Sequence, residues 1–354
     1  MGLAPQRILI VRLSHLGDVA QTLPLYHALR AAHPTARIAW AVQPEFAGLV
    51  EPLPGLERAI RFDRRDGARG WSRLARELEQ FGADWTIDAQ GNVKSALVAL
   101  ASRAPRRSGY ARADWREPFG ATSTTEACAP GPSSEHAVDR LLRLARHVAP
   151  GWDGVPRFDA ALSPAELARG ERALAALTHG AGGVLIHLSN PADVRAWPLA
   201  RWAEAARLAA EQGPVVIVSG PAEELHGRAL ERELRDPRVA HLVGQRGLRE
   251  LAALFTAAAR RGMAFAGCDS GPLHLAWASG LRVVLLAGPQ DEFRTGPYPP
   301  RGPHTILRAE PPPACAPCRA RRCEHAEGPV CLSAIAGREL DAALRTRARG
   351  RSAG

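Results

Sequence analysis

A short polar stretch, residues 268–276 (CDSGPLHLA), lies between two apolar runs at 263–266 and 281–287. This order predicts a strand, a tight glycine turn and the start of a helix. Such a turn aims free backbone N–H groups and the positive end of a helix at one point, which favours a phosphate or diphosphate ligand. We therefore predict an anion site formed by Ser270, Gly271 and His274. Asp269 is expected to cap this helix or to fix the loop.

A second candidate is the loop that follows the first apolar run, residues 12–18 (RLSHLGD). Gly17 permits a sharp turn, and Asp18 opens the helix that follows. One interpretation is that Asp18 is only an N-cap, which satisfies a free backbone N–H. The other is that its carboxylate accepts a proton from a substrate hydroxyl. Helix N–H groups would lower its pKa, so it would stay ionised and act as a weak base.

Two further loops each leave alternatives open. Arg195 precedes a helix that Pro198 begins, and its guanidinium could pair with phosphate oxygens or be an ordinary solvated arginine. Glu223 or Glu224 follows the next strand and could bind sugar hydroxyls, or could be a first-turn residue favoured by the helix dipole. The sequence does not choose between these glutamates. His187, within an apolar strand, is expected to be structural.

These loops are positioned by short apolar runs that alternate with longer amphipathic ones, which is typical of a parallel α/β sheet covered on both faces. The predicted strands are 7–11, 38–42, 58–62, 85–88, 107–110, 184–188, 215–219, 239–243, 263–266 and 283–287. The predicted helices of the first half are 19–32, 70–81, 92–102 and 136–148. Proline, glycine and aspartate interrupt the pattern at 151–164.

The interruption predicts two α/β domains, at 1–160 and 165–335. Residues 336–354 are expected to hold the end of a helix and, from 346, a disordered arginine-rich tail. Two such domains that face each other leave a cleft at the carboxyl ends of their strands, where ligands of open α/β sheets bind. The net charge of +10 is divided evenly, with +4 in residues 1–165 and +6 in the remainder. This even distribution argues against a nucleic-acid-binding arm.

Other function classes lack their motifs. No G-x-G-x-x-G follows the first strand, and the single lysine, Lys94, has no glycine directly before it, so neither a dinucleotide dehydrogenase nor a Walker-type ATPase is supported. A nucleotide-sugar epimerase would need the same missing dinucleotide motif. No signal peptide and no apolar run long enough for a membrane span are recognised, so we expect a cytoplasmic protein, at most peripheral at the inner face of the membrane.

Several motifs together resemble glycosyltransferase family 9, the ADP-heptose:lipopolysaccharide heptosyltransferases. Their order and spacing match from about residue 7 to residue 335. The matching segments are 14–18, 87–91 with Lys94 and Ser95, Arg195 with Trp197 and Pro198, 242–244 with 248–254, and 269–274. The most specific are 16–18 and 269–274.

The resemblance implies a GT-B architecture of two Rossmann-like domains, with catalysis that requires no metal. It assigns Asp18 as the general base. The donor diphosphate would be held by the second domain through Ser270, Gly271, His274 and Arg195, with Ser189, Asn190, Glu223 and Asp269 as further donor residues. The acceptor residues would be Ser14, His15, Gly17 and Lys94, although Lys94, which opens a helix, could also be an ordinary first-turn residue. Arg195 stands where a lysine is common in the family, and Ser189 and Asn190 replace a threonine pair or a glycine-rich turn, which leaves the donor sugar preference open.

The resemblance thus predicts an inverting transferase that moves heptose from ADP-heptose to the inner core of lipopolysaccharide. Its partners would be the nucleotide sugar, a lipid-linked oligosaccharide acceptor and the anionic membrane surface, with no nucleic acid. Alternatives are a family member with another nucleotide sugar or acceptor, and a non-catalytic module that binds nucleic acid or lipid.

A cysteine cluster lies outside these motifs. Its members are Cys315, Cys318, Cys323 and Cys331. Four thiols at this spacing could hold a structural zinc ion, although only the first pair has a familiar spacing. Reduced thiols, disulfides or an iron–sulfur cluster are the alternatives. No other cofactor is expected.

Overall fold

The computed structural model describes residues 4–244 and 246–348. The chain forms two compact units, one up to Ala161 and one from Leu162. In the part described, no helix has both the length and the apolar character needed to cross a lipid bilayer.

The first unit is built on a six-stranded parallel sheet in the order β3-β2-β1-β4-β5-β6. Its strands are β1 (Arg7–Val11), β2 (Arg37–Val42), β3 (Leu56–Arg61), β4 (Trp85–Asp88), β5 (Arg106–Gly109) and β6 (Glu126–Ala127). Its helices are α1 (Leu16–Ala32), α2 (Pro44–Val50), α3 (Gly67–Phe81), α4 (Val93–Ala101) and α5 (Ala137–Val148), with short 3₁₀ helices at Arg64–Asp66, Arg112–Asp114 and Pro118–Ser123.

The second unit repeats this plan, with a parallel sheet in the order β12-β11-β10-β7-β8-β9. Its strands are β7 (Val184–His187), β8 (Val215–Ser219), β9 (Val239–Val243), β10 (Ala264–Cys268), β11 (Arg282–Leu286) and β12 (Thr305–Leu307). Its helices are α6 (Pro164–Thr178), α7 (Leu199–Ala210), α8 (Glu224–Glu233), α9 (Leu248–Arg260), α10 (Gly271–Ala278), α11 (Glu292–Thr295), α12 (Val330–Ser333) and α13 (Gly337–Ala348), with a 3₁₀ turn at Pro221–Glu223.

Two doubly wound sheets of this kind confirm the predicted fold class. The central strands are fully buried because helices cover both sheet faces; the side chains of Ile8, Leu9 and Ile10 in β1 are 0% exposed. In each sheet the loops at the carboxyl ends of the strands share one edge, which brings the polar residues of successive loops together.

The end of the chain differs from the prediction in one respect. Helix α13 continues through Ala348, so residues 346–348 are helical and the tail predicted from 346 does not begin there. The rest of that predicted tail, 349–354, lies outside the described residues. The apolar face of α13 packs in the second unit, where Leu340 and Leu344 join the same buried cluster as Trp202 of α7.

Candidate functional site

Asp18 lies at the carboxyl edge of the first sheet, and its carboxylate has two partners on its own loop. Oδ1 is 2.8 Å from Nη2 of Arg12, and Oδ2 accepts a hydrogen bond of 3.1 Å from the backbone N–H of His15. His15, not Asp18, is the N-cap of α1. The interpretation of Asp18 as the N-cap is therefore wrong. Asp18 is the third helical residue, and its carboxylate bonds back to the cap.

The electrostatic surroundings keep Asp18 ionised. Burial alone would raise the pKa of this carboxyl, but the neighbouring Arg12 guanidinium and the hydrogen bonds from His15 lower it far below its ordinary value. The side chain is nevertheless 38% exposed, so one flank is open to a ligand. Such a carboxylate is a weak base, which suits a step in which the proton leaves as the new bond forms.

Sequence reasoning did not assign a role to Arg12, which fixes this arrangement. Arg12 is only 9% exposed, and its Nη1 donates a hydrogen bond of 2.6 Å to the carbonyl oxygen of Ala89. Arg12 thus links Asp18 to the loop after β4. The signal available in the sequence was a basic residue directly after a buried strand, at the start of a loop that ends in a carboxylate.

The loop after β4 supports the loop after β1. The N–H of Leu13 donates to Oε1 of Gln90 at 2.8 Å, and Oδ1 of Asp88 accepts from the N–H groups of Gln90 and Gly91, each at 2.9 Å. Burial raises the pKa of Asp88, although its hydrogen bonds oppose the rise. Its Oδ2 is buried and has no hydrogen-bond partner in the described structure. Asp88 therefore holds the turn, while Asp18 faces outward.

The other residues predicted at the first edge differ in exposure. The side chain of His15 is 86% exposed and Gly17 is buried, while Ser14 is half-buried. Lys94 is exposed in the first turn of α4, which follows the same β4 loop. Ser14, His15 and Gly17 thus lie in the same segment as Asp18, and Lys94 lies in the helix that follows the adjoining loop. Their binding of an acceptor stays a prediction.

At the second sheet, the turn from β10 to α10 has the geometry that the sequence predicts. Ser270 is the N-cap of α10, and its Oγ accepts from the N–H of Leu273 at 3.5 Å. The N–H of His274 donates to the carbonyl oxygen of Ser270, and Pro272 has no N–H. Gly271 is the first residue of α10, so its N–H has no acceptor within the helix and can meet an anion at the helix N-terminus.

His274 and Asp269 are bonded to each other beside this turn. Nε2 of His274 is 2.9 Å from Oδ1 of Asp269, and Nδ1 accepts from Nε1 of Trp277 at 3.1 Å. His274 is 8% exposed. Ser270, not Asp269, caps α10. Asp269 instead fixes the loop. His274 orients Asp269 here, and its direct contact with a diphosphate stays a prediction.

Arg195 is brought to the same turn, where two carboxylates hold it. Its Nε and Nη2 donate to Asp193 at 2.8 and 2.7 Å, and Nη1 is 3.5 Å from Oδ2 of Asp269. The hydrogen bonds to Asp193, with the charge of Asp269, raise the pKa of Arg195, so it remains a cation. Its side chain is 35% exposed, which leaves a flank for an anionic ligand.

The pairing of Arg195 with Asp193 is a local motif and does not by itself mark a site. Asp236 and Arg238 make the same contacts on an exposed loop, with Nε to Oδ1 at 3.0 Å and Nη2 to Oδ2 at 2.7 Å. In each case the arginine N–H also donates to Oδ1 of the aspartate two residues before it. What distinguishes Arg195 is the additional contact with Asp269 of the β10 turn.

Three other predicted residues lie at the end of β7 or in the loop after it. Oγ of Ser189 is 3.0 Å from Sγ of Cys268, and Oδ1 of Asn190 accepts from the N–H of Ala192 at 3.0 Å. His187 is buried, and burial lowers its pKa to about 4, so it is neutral at pH 7. Ser189 therefore ties the β7 loop to the end of β10, and Asn190 shapes that loop. Neither residue makes a contact that decides its predicted donor role.

The two candidate glutamates differ in exposure. Oε2 of Glu223 accepts from the N–H of Gly220 at 2.9 Å, the residue is 8% exposed, and burial raises its pKa. The side chain of Glu224 is 49% exposed. Glu223, the predicted donor residue, thus bends back on its own turn.

The cysteine cluster varies in exposure along the chain. Cys315 and Cys318 are exposed, Cys323 is half-buried and Cys331 is buried. Burial and the neighbouring thiols raise the pKa of Cys331. Over 4–244 and 246–348, no group of three or more histidine, cysteine, aspartate or glutamate side chains is arranged to hold a metal ion.

The chain is similar to known proteins along most of its length. The model of glycosyltransferase family 9 (heptosyltransferase) matches residues 71–327. Lipopolysaccharide heptosyltransferase 1 of Pseudomonas aeruginosa is 30% identical over 332 residues, which cover 90% of this chain and 88% of that protein. Lipopolysaccharide core heptosyltransferase OpsX of Haemophilus influenzae is 24% identical over 301 residues, covering 83% of this chain and 82% of that protein.

Solved structures agree on the fold. The structure of E. coli heptosyltransferase WaaC with ADP has a TM-score of 0.73 and 22% sequence identity to this chain, and the match covers 97% of this chain and 100% of that one.

Proposed function

The chain belongs to glycosyltransferase family 9, and from that premise we propose that it transfers a heptose from ADP-heptose to the inner core of lipopolysaccharide. The relatives named lipopolysaccharide heptosyltransferases support the donor and acceptor classes. A similar fold solved with ADP supports an adenine nucleotide. One observation carries the proposal: an ionised carboxylate, Asp18, is held at the sheet edge by Arg12 and left open on one flank. A non-catalytic anion-binding module would not need it.

The proposed reaction is a single displacement that inverts the anomeric carbon. An acceptor hydroxyl gives its proton to Asp18 as its oxygen forms the new bond to that carbon. The bond from the anomeric carbon to the diphosphate oxygen breaks, and ADP leaves with the electron pair. The N–H of Gly271, the hydroxyl of Ser270 and the guanidinium of Arg195 stabilise the charge that develops on the leaving group.

The donor site of this proposal requires an exchange of partners at Arg195. Its guanidinium is held by Asp193 and Asp269 in the structure. A diphosphate is a stronger bidentate partner than a single carboxylate contact of 3.5 Å, so we expect Nη1 to leave Asp269 when the donor binds. His274 keeps Asp269 in place during the exchange.

The proposal is tested with the purified full chain, ADP-heptose and a deacylated inner-core acceptor. The expected results are release of ADP and a product heavier than the acceptor by one heptose, with thermal stabilisation by ADP-heptose but not by UDP-sugars. Stabilisation by UDP-sugars alone would overturn the donor assignment. Near-normal transfer by Asp18→Ala would overturn the mechanism.

We also propose that the enzyme works in the cytoplasm at the inner face of the membrane, because its acceptor would be anchored in lipid. Cell fractionation with an antibody against the full chain tests this. Recovery with the inner membrane at low salt and release at high salt are expected for a protein held partly by its positive charge.

A structural zinc ion on Cys315, Cys318, Cys323 and Cys331 is a further proposal, and it rests on the spacing of the cysteines. Elemental analysis of the full chain is expected to give one zinc per chain. The double variant Cys315→Ser/Cys318→Ser should lose it, whereas Cys128→Ser, at a buried cysteine outside the cluster, should retain it. Purified chain without zinc, and with four titratable thiols in the cluster, would refute the site.

A further inference from the structure

Helix α4 exposes an apolar stripe. Val93, Leu97 and Leu100 are 38%, 46% and 48% exposed. Their spacing places them on one face of the helix, one above the other. The opposite face is buried through Val98 and Ala99. Helix α4 thus has apolar residues on both faces, and one of these two faces is exposed to solvent.

A phenylalanine beside α4 extends this stripe. Phe119, in the 3₁₀ helix Pro118–Ser123, is 78% exposed. This 3₁₀ helix packs on α4: Gly120 lies so close to the Trp115 ring that a Cβ on it would be 2.7 Å from the ring and 3.5 Å from Cβ of Ala96. The N–H of Val93 also donates to Oε2 of Glu117 at 3.3 Å. The two elements therefore adjoin each other.

We call this surface the α4 surface: Val93, Leu97, Leu100 and Phe119. The described residues contain seven large hydrophobic side chains classed as exposed, and four of them belong to it. Single exposed apolar residues are ordinary, but a cluster on adjoining elements marks an interaction site.

Positive charges border the α4 surface. Lys94, Arg112 and Arg116 are exposed. Among the residues that the structure describes, Lys94 and Arg112 have no carboxylate within ion-pair distance. Arg116 faces Glu117 at 3.7 Å, with both side chains about half exposed or more, so this pair is weak and leaves most of the positive field in place. Apolar side chains bordered by cations fit the interface of an anionic bilayer, where the former enter the acyl boundary and the latter meet lipid headgroups.

The α4 surface is also connected to the Asp18 edge. Helix α4 begins directly after the β4 loop, whose Gln90 accepts from the N–H of Leu13 in the Asp18 loop. The N–H of Arg116 donates to the carbonyl oxygen of Gly91 in that same β4 loop, at 3.3 Å. A bilayer in contact with α4 would therefore hold a lipid-linked molecule near the loop that carries the carboxylate.

We infer that the α4 surface docks the first unit on an anionic lipid bilayer. This inference rests on the proposed function, because it takes the acceptor to be anchored in lipid. It adds to that function the side chains that make the contact. It also assigns Phe119 and Leu97, which no catalytic role explains, to the capture of membrane-held substrate.

Flotation of the full chain with lipid vesicles tests the inference. The chain should float with vesicles of phosphatidylcholine and phosphatidylglycerol, and much less with phosphatidylcholine alone. Leu97→Gln/Phe119→Ser should weaken vesicle binding about tenfold, because two apolar side chains no longer enter the bilayer. Arg112→Glu/Arg116→Glu should weaken it similarly and abolish its salt dependence. The control is Leu225→Gln, a leucine 84% exposed in the second unit, which should bind as the unaltered chain does.

Transfer assays separate this inference from the proposed function. With vesicle-embedded acceptor, Leu97→Gln/Phe119→Ser should lose about the same factor in transfer, whereas transfer to a deacylated acceptor in solution should be retained. Vesicle binding equal to that of the unaltered chain would overturn the inference, as would light scattering that shows the α4 surface to be a dimer contact of the unaltered chain. Absence of heptose transfer together with α4-dependent vesicle binding would overturn the proposed function alone.

Discussion

The carboxyl edges of the two sheets hold the same kinds of side chain in different proportions. At the first edge, one carboxylate, Asp18, is held by one guanidinium, Arg12, at 2.8 Å. At the second edge, one guanidinium, Arg195, is held by two carboxylates, Asp193 and Asp269, at 2.7 and 3.5 Å. The first edge presents an ionised carboxylate. At the second edge, the single positive charge of Arg195 is outnumbered by two carboxylates.

This difference separates the two chemical tasks proposed for the enzyme. A base must keep its lone pair available in one protonation state, which a permanent guanidinium partner secures. A diphosphate site must be able to release its own anions, and Arg195 has a long contact that a ligand can replace. The comparison therefore predicts that the Arg12–Asp18 pair stays intact during turnover, whereas the Arg195–Asp269 contact opens.

The largest effect is expected from Asp18→Asn. The amide keeps the shape of the side chain but cannot accept the acceptor proton, so kcat/KM should fall about a thousandfold. The matched control is Glu45→Gln, which alters another first-turn acid of the same unit that is paired with an arginine, Arg65, at 2.6 Å. Steady-state release of ADP measures both. A loss below tenfold for Asp18→Asn would show that the first edge does not supply the base.

Arg195→Ala should have the next largest effect. Loss of the guanidinium removes a positive charge from the proposed leaving group, so kcat/KM for the donor should fall about a hundredfold. Arg238→Ala removes the same local aspartate–arginine motif from an exposed loop of the same unit and should leave transfer unchanged. Equal losses in the two variants would mean that the motif stabilises the second unit and that Arg195 has no separate role.

Arg12→Gln tests the first edge through its pH dependence. Arg12 lowers the pKa of Asp18, so in the unaltered chain the acid limb of kcat/KM should lie below the ordinary range of an aspartate. Without the guanidinium the pKa of Asp18 rises, and the acid limb should move to higher pH. The measurement is the pH profile of kcat/KM for the acceptor. An acid limb that does not move would show that another group titrates.

Much of the fold could be predicted from the sequence because helices cover both faces of each sheet. Strands in such a sheet are unbroken apolar runs, as β1 and β8 show. The missed strands, β6 and β12, are short edge strands with polar or half-exposed residues at Glu126 and Thr305, so hydrophobic periodicity gives little signal there. Helix α6 was not assigned, although its capping box, Ser163 with Glu166, was readable.

The candidate site was predictable in its loops and much less so in its pairings. Polar residues between the end of a buried strand and the start of the next helix identified Asp18, Arg195 and the β10 turn, because strand ends are fixed by periodicity. Which carboxylate meets which cation depends on loop conformation. The contacts of Arg12 with Asp18 and of Arg195 with Asp269 therefore appeared only in three dimensions. The same holds for the α4 surface. Val93, Leu97 and Leu100 are spaced by four and three residues, a spacing that by itself predicts a stripe facing the core, so only the structure shows that the stripe is exposed.

The smallest predicted effect concerns the second carboxylate at the second edge. Asp193 is ionised, since its hydrogen bonds with Arg195 lower its pKa. Asp193→Asn keeps an oxygen that can accept from the N–H and Nε of Arg195, but removes a negative charge that opposes a diphosphate. Affinity for ADP should rise about threefold, because each like charge near the ligand weakens binding modestly in a solvated site.

Calorimetric titration of the full chain with ADP measures this change, and Asp236→Asn is the matched control, because Asp236 holds Arg238 in the same geometry on an exposed loop. Its affinity for ADP should equal that of the unaltered chain. Weaker binding by Asp193→Asn would reverse the interpretation of the second edge: Asp193 would then serve to orient the guanidinium, and its charge would be the lesser effect. A rise in affinity confined to Asp193→Asn would instead show that the excess of carboxylates limits donor binding and so favours release of ADP.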